Sequence, residues 1–391
     1  MKGKGIILSI ATLLCTACQA QQGGYRLDFN LSKRNFVDSI AITFDQERVI
    51  VPVTINGEQR RFLLDTGAGH AVVYDDCPIE GCLPAGTILS HDAIGRQSRV
   101  PLVTLPPLTL GTLTLTGCQA TLQHRPVKRS DIDGIIGFDL VCRGLQMKID
   151  TRQQLLILTD VKKFFDREAG HRMKYRLQLH VPYLDVMLFS GFRDRVLFDT
   201  GSRSLYSMNK QRFDEAEKTR RPFLASQIEG RSVGQYAMGF QGTEALGEVV
   251  FLGLSDLRLG RFSFRDVHTL TTQGGSHLGA RVLDYGAVVF CPLQKTLIFQ
   301  PYDHPDFCTV GNSQLQKAIV NANGKPVVGL VWERSEAFKA GLRQGDTILN
   351  VEGQAIDSFA DYLAFRPLRG RIYTFIVLDR RGFKKEVKMT W

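Results

Sequence analysis

Arg61-Phe62-Leu63-Leu64-Asp65-Thr66-Gly67-Ala68 is the stretch on which the reading of this chain turns. It returns 134 residues later as Arg195-Val196-Leu197-Phe198-Asp199-Thr200-Gly201-Ser202. Each copy is a basic residue, three apolar residues, then Asp-Thr-Gly and a small residue. A single Asp-Thr-Gly arises by chance in roughly 1 in 10 chains of this length at average residue usage. Alone it would read as a strand ending in a turn, where Asp and Gly are both at home. Two copies with matching flanks read as an internal duplication.

The match continues downstream. Pro107-Leu108-Thr109-Leu110-Gly111 corresponds to Asp256-Leu257-Arg258-Leu259-Gly260, each followed by alternating residues that predict a strand. Ile135-Ile136-Gly137-Phe138-Asp139-Leu140 corresponds to the segment His277-Leu278-Gly279-Ala280-Arg281-Val282-Leu283. The copies close with Leu155-Leu156-Ile157-Leu158 and Thr296-Leu297-Ile298-Phe299. Asp65 to Gly137 is 72 residues and Asp199 to Gly279 is 80, a difference one longer loop absorbs. Short alternating strands and Gly-rich turns dominate, and helical period stands out near Asn209 to Arg220.

This pattern resembles the aspartic protease family, pepsin-like and retropepsin-like enzymes with two lobes. Each lobe of those enzymes supplies an apolar-apolar-Asp-Thr-Gly-Ala/Ser loop and an apolar-apolar-Gly segment. The resemblance covers roughly residues 36 to 303. It implies a mainly β chain, with lobe 1 over residues 25–165 and lobe 2 over 166–303. It also implies aspartic endopeptidase activity on a peptide or protein substrate, with Asp65 and Asp199 as the catalytic residues and no cofactor or metal.

The chemistry explains why two aspartates are needed. Hydrolysis of a peptide without a metal or a covalent nucleophile requires one group to take a proton from water and another to give one to the carbonyl. Two carboxylates in contact do both, because like charges at ~3 Å cannot both ionise and the pair keeps one proton. The supporting residues are Thr66, Gly67, Thr200, Gly201 and Ser202. By the resemblance, the two Thr hydroxyls reach the opposite lobe's backbone, and Gly137 and Gly279 pack beneath the loops. The two loop glycines are expected to permit a tight backbone. The resemblance also implies that Ser202 can donate to Asp199 where Ala68 cannot donate to Asp65, which predicts an optimum less acidic than with hydroxyls in both places. By the same resemblance, substrate-covering hairpins are expected at Ser90 to Pro101, with Gly95 near the tip, and at Ser232 to Gly247, with Tyr236. A non-catalytic peptide-binding protein that keeps the fold is the alternative.

After Pro301 the repeat has ended. Ser335-Glu336-Ala337-Phe338-Lys339-Ala340-Gly341-Leu342 predicts a short helix, with Ser as N-cap and Gly at its stop. Together with Arg343-Gln344-Gly345-Asp346-Thr347-Ile348-Leu349-Asn350-Val351-Glu352-Gly353 it is similar to the PDZ domain, over residues 311–391. That resemblance implies a small α+β module that binds a peptide ligand by strand addition. This copy lacks an evident Gly-Leu-Gly-Phe-like loop, so a structural module packed on the protease stands beside the ligand-binding reading.

Residues 1–18 read as an export signal: Lys2 and Lys4 first, an apolar run from Ile6 to Leu14, then Thr16-Ala17 before Cys18. The pattern resembles a bacterial lipoprotein signal, with Cys18 as the lipid-bearing residue and membrane anchor. Cleavage after Ala20 is the competing reading, so the expected location is the bacterial cell envelope, lipid-anchored or periplasmic. Six cysteines follow, an even count that permits disulfides in an exported protein. Cys77 and Cys82, flanking Pro78 and Gly81, are the pair expected to bridge. The net charge of +10 is spread among acidic residues, with basic runs no longer than pairs, so nucleic acid is not an expected partner. Five of those ten charges fall in residues 310–391. No Gly-x-Ser-x-Gly elbow, HExxH or phosphate-binding loop is present, and a monomer is expected.

Overall fold

The computed structural model describes residues 25–92, 94–125, 132–239, 242–368 and 370–390, so the export signal and Cys18 lie outside the described residues. Strands predominate and the duplication is visible in their pairing. In the first half, Glu58–Leu64 runs parallel to Gly134–Ile136, which lies antiparallel to Ala71–Tyr74. In the second, Arg193–Asp199 runs parallel to His277–Gly279, which lies antiparallel to Tyr206–Asn209. Each half thus hydrogen-bonds the strand entering its Asp-Thr-Gly loop to its own apolar-Gly segment. The strands around them extend this arrangement to an eleven-stranded and a nine-stranded sheet.

The turns explain why the repeat carries glycines where it does. Gly111 and Gly260 occupy the tight turns after the paired Leu-Gly landmarks, with φ of +60° and +65°, a region that disfavours side chains. The helix expected near Asn209 spans Lys210–Leu224, and the Asn209 side chain accepts the Arg212 N–H at its start. It bends at Arg220, whose backbone leaves helical geometry two residues before Pro222.

A third sheet joins the halves. Val37–Ala41, Gln146–Asp150 and Leu155–Thr159 come from the first, and His171–Lys174, Gly286–Cys291 and Thr296–Pro301 from the second. The seam is the pairing of Met147–Ile149 with Val288–Phe290. Phe138 and Phe198 both pack edge-on against Phe290 there, at 4.8 and 5.5 Å between ring centres. These aromatic rings follow Gly137 and precede Asp199 in sequence, so the seam holds both loops against one apolar core. Phe307–Thr309 adds a further strand to the second lobe's sheet, beyond residue 303.

Residues 317–390 form a separate six-stranded sheet with two short helices and a core of their own around Val328, Ile348, Phe375 and Val387. Ser335 caps Glu336–Lys339 by accepting the Phe338 N–H, and Gly341 follows at φ +101°. The module is docked. Leu330 is fully buried against Val249, Phe251 and Leu270 of the second lobe, and Trp332 lies over Phe251. The Gln235 N–H donates to Gly329 O at 3.0 Å across this contact. Among the described residues no helix is long and apolar enough to cross a membrane.

The expected Cys77–Cys82 bridge is not made; all six cysteines among the described residues are free thiols. The two side chains belong to different layers. Cys77 packs with Ile50 and Val72 and receives a contact from Arg125 Nη2 at 3.4 Å, whereas Cys82 packs on the main core.

Candidate active site

Asp65 directly follows the strand Glu58–Leu64 and Asp199 is the last residue of Arg193–Asp199, so each carboxyl sits where its chain turns out of the sheet. Leu64 and Phe198 just before them are fully buried and fix the two strand ends. The duplication brings the carboxyls together: Asp65 and Asp199 share a hydrogen bond across the lobe boundary. The Gly67 N–H donates to Asp65 Oδ1 at 2.8 Å and the Gly201 N–H to Asp199 Oδ1 at 2.9 Å.

The threonines cross the same boundary. Thr66 Oγ1 donates to Phe198 O at 2.7 Å and accepts the Thr200 N–H at 3.0 Å. Thr200 Oγ1 donates to Leu64 O at 2.6 Å and accepts the Thr66 N–H at 3.0 Å. Both threonines are fully buried, so these four bonds hold the two strand ends in a fixed register with no competing water.

The glycines do different work from that expected. Neither Gly67 nor Gly201 has a positive φ. A Cβ on Gly67 would stand 2.5 Å from Asp199 Oδ1, and one on Gly201 2.5 Å from Asp65 Oδ2. Each loop glycine is the space into which the opposite carboxylate fits. Gly137 and Gly279 lie beneath the loops, where a Cβ would meet Ala68 O at 2.7 Å and Ser202 O at 2.6 Å.

Ser202 also departs from expectation. Its hydroxyl pairs with Ser204 Oγ at 3.0 Å, and the group it offers Asp199 is its backbone N–H. Ala68 does the same for Asp65, so the two loops support their aspartates equivalently. The Ser/Ala difference therefore does not separate the two carboxyls. Burial, then the charge of Asp199, pushes Asp65 well above the usual carboxylate range. Burial raises Asp199 too, but there the hydrogen bond from Asp65 acts in the opposite direction. Like charges this close cannot both ionise, so the pair keeps one proton between its two carboxyls.

Both expected hairpins are present, and they meet. Leu83–His91 and Gln97–Thr104 form the first, turning through Gly95 at φ +80°. In the second, Tyr236 precedes the short paired strands Met238–Gly239 and Gly242–Thr243. Arg96 Nη2 of the first tip donates to Thr243 O of the second at 2.8 Å, and Asp92 occupies the space beside Gly239.

Two residues escaped the sequence reading. Glu244, nearly fully buried, accepts from the backbone N–H groups of Tyr236, Ala237 and Gln273 and from the Thr272 hydroxyl. It pins the second hairpin to its lobe, and nothing local in Gly-Thr-Glu-Ala signals that. His277 sits in the quoted repeat, and its imidazole faces the pair with Nε2 3.9 Å from Asp199 Oδ2. Its signal was the mismatch with Ile135 at the same repeat position. Among the described residues no group of three or more His, Cys, Asp or Glu side chains converges as a metal-ligand set.

Residues 51–140, which hold the first loop and the first apolar-Gly segment, match the Aspartyl protease family profile. Among solved structures, an aspartic proteinase from Irpex lacteus aligns over 68% of this chain and 98% of its own, at 14% identity and a TM-score of 0.44. No curated protein matches the chain.

Proposed function

We propose that this chain is an aspartic endopeptidase in which Asp65 and Asp199 activate water. The observation that carries the reading is the hydrogen-bonded carboxyl pair, one member from each half, set in a frame of cross-lobe threonine bonds. In the first step a water proton passes to the ionised carboxylate while its oxygen bonds to the peptide carbon. The carbonyl oxygen takes the proton from the other carboxyl. The negative charge thus changes sides, and neither metal nor covalent intermediate is required. In the second step the newly protonated carboxyl gives its proton to the leaving nitrogen, and the C–N bond breaks. The tetrahedral centre returns a hydroxyl proton to the other aspartate, restoring the starting state. The two hairpins, joined tip to tip, must part to admit an extended peptide and close over it.

The C-terminal module is proposed to be a PDZ domain, with the edge strand Lys317–Ala322 as its peptide-adding edge. Export behind residues 1–18, with lipid attachment at Cys18, completes the proposal and places the enzyme at a cell-envelope surface. Cleavage of a denatured-protein or peptide library by wild type and Asp199→Asn, across pH, tests the central claim. Wild type cleaves, and the variant loses about 100- to 10,000-fold in kcat. Equal rates, or none from wild type, would favour the non-catalytic peptide binder.

A further inference from the structure

The duplication sets equivalent residues in equivalent rows. In the first half Ile50, Leu63, Ile135 and Val72 stand side by side on four neighbouring strands. In the second the same row reads Tyr183, Leu197, His277 and Ser207. Leu63 and Leu197 each lie two residues before an aspartate. Because alternate residues share a face of a strand, each row flanks its own carboxyl. The first row is wholly apolar and continues into a buried cluster with Tyr74 and Ile132. The second has replaced three of its four members with polar groups.

His277 is the member aimed at the pair. Its side chain is 13% exposed, and Nε2 stands 3.9 Å from Asp199 Oδ2. The groups facing it are known from each packed element. Tyr183 and Asp199 come from the two strands on one side. Ser207 comes from the strand on the other and is hydrogen-bonded to the buried Tyr236 hydroxyl. Asp65 reaches it from the opposite lobe. Burial lowers the imidazole's proton affinity, and any negative charge left on Asp65 raises it. With Ser202 turned to Ser204, the backbone donors of the two loops are matched, and His277 is the ionisable group that stands beside one aspartate with an isoleucine beside the other.

We propose that His277 is a positioning residue for the carboxyl pair: its imidazole holds the shared negative charge on Asp199 and leaves the proton on Asp65. Asp199 is then the group that takes the proton from water, and Asp65 the one that protonates the substrate carbonyl. This assignment of roles rests on the endopeptidase reading; the charge placement itself does not. When protonated, the imidazole opposes loss of the pair's negative charge, so the active single-proton state persists to lower pH than the pair alone would allow.

The charge placement is read without turnover, by NMR titration of the His277 imidazole in the full chain as wild type, Asp65→Asn and Asp199→Asn. In Asp65→Asn the charge is confined to Asp199, and the ring titrates at higher pH than in Asp199→Asn, where the charge is confined to Asp65. Wild type tracking Asp65→Asn supports the proposal; wild type tracking Asp199→Asn, or identical titration in both variants, overturns it. The second arm is the pH profile of kcat/KM for His277→Ile, which installs the first lobe's residue. The acid limb moves up by about one pH unit, and an unmoved limb overturns the proposal. If wild type cleaves no peptide, the endopeptidase reading fails, and the imidazole titration still decides where the charge lies.

Discussion

At the residue scale, the site is built from atoms that fill each other's space across a boundary. The Cβ position absent from Gly67 is taken by Asp199, and that absent from Gly201 by Asp65, so exchange of either glycine disturbs the other lobe's carboxyl. A second buried acid lies just beyond the first apolar-Gly segment. Asp139 accepts from the Tyr25 hydroxyl at 2.9 Å and the Leu140 N–H at 3.1 Å, yet burial pushes its carboxyl up to about 6. A raised folded-state value means that the native protein holds a proton the unfolded chain has released. The stabilisation from this group is therefore present below the unfolded value near 4 and is lost as pH rises through 6. Over that window it amounts to on the order of 3 kcal/mol. Asp139→Asn should flatten the corresponding part of the urea-midpoint profile between pH 4 and 6. An unchanged slope would show that Asp139 titrates normally.

At the scale of elements, the second hairpin depends on one carboxylate. Glu244 satisfies three backbone N–H groups and one hydroxyl in a buried setting, where each unsatisfied donor costs ~1–3 kcal/mol. Glu244→Leu removes all four partners at once while leaving the sheet beneath intact. The expected result is faster chymotrypsin cleavage within residues 235–246, by at least ~10-fold, since cleavage of a transiently opened segment follows its opening free energy. Glu244→Gln, which keeps an acceptor oxygen, should fall between. Because Arg96 of the first hairpin bonds to Thr243, loosening one tip also frees the other, and peptide KM should change with it.

At the scale of the whole molecule, two interfaces of different character organise the chain. The lobes share a sheet and a continuous apolar core, so they are one folding unit. The C-terminal module has its own core and touches the second lobe through Leu330, Trp332 and a few polar contacts. Leu330 contributes to the interface cluster and not to the module's own core. Leu330→Asp should thus undock the module without unfolding it, giving two thermal transitions and a larger radius of gyration in solution scattering. A single transition with unchanged dimensions would mean that the module is held by more than this contact. The module's docking strand abuts the hairpin strand Ile228–Gly234, so undocking should also change hairpin opening, read as a change in peptide KM.

The duplication, the positions of both aspartates and the helical period near Asn209 were legible in the amino-acid order, whereas the Asn209 cap and the turn conformations of Gly111 and Gly260 came from the structure. Each of the sequence readings depends on spacing along the chain. The threonine contacts followed from resemblance rather than from spacing. Other features depend on which groups meet once the chain has folded. The fit of each aspartate into the opposite glycine, the pairing of Met147–Ile149 with Val288–Phe290, and the separation of Cys77 from Cys82 into different layers are contacts of the folded state. The turn of Ser202 toward Ser204 is a rotamer choice made by its surroundings. His277 was quoted as one more repeat residue, and its meaning emerged when the sheet register gave it the place in the second row that Ile135 holds in the first, 3.9 Å from Asp199. Residue order thus carried the motif and its count. Packing decided the charge environment, because electrostatic coupling depends on distance and burial, which the linear chain does not contain.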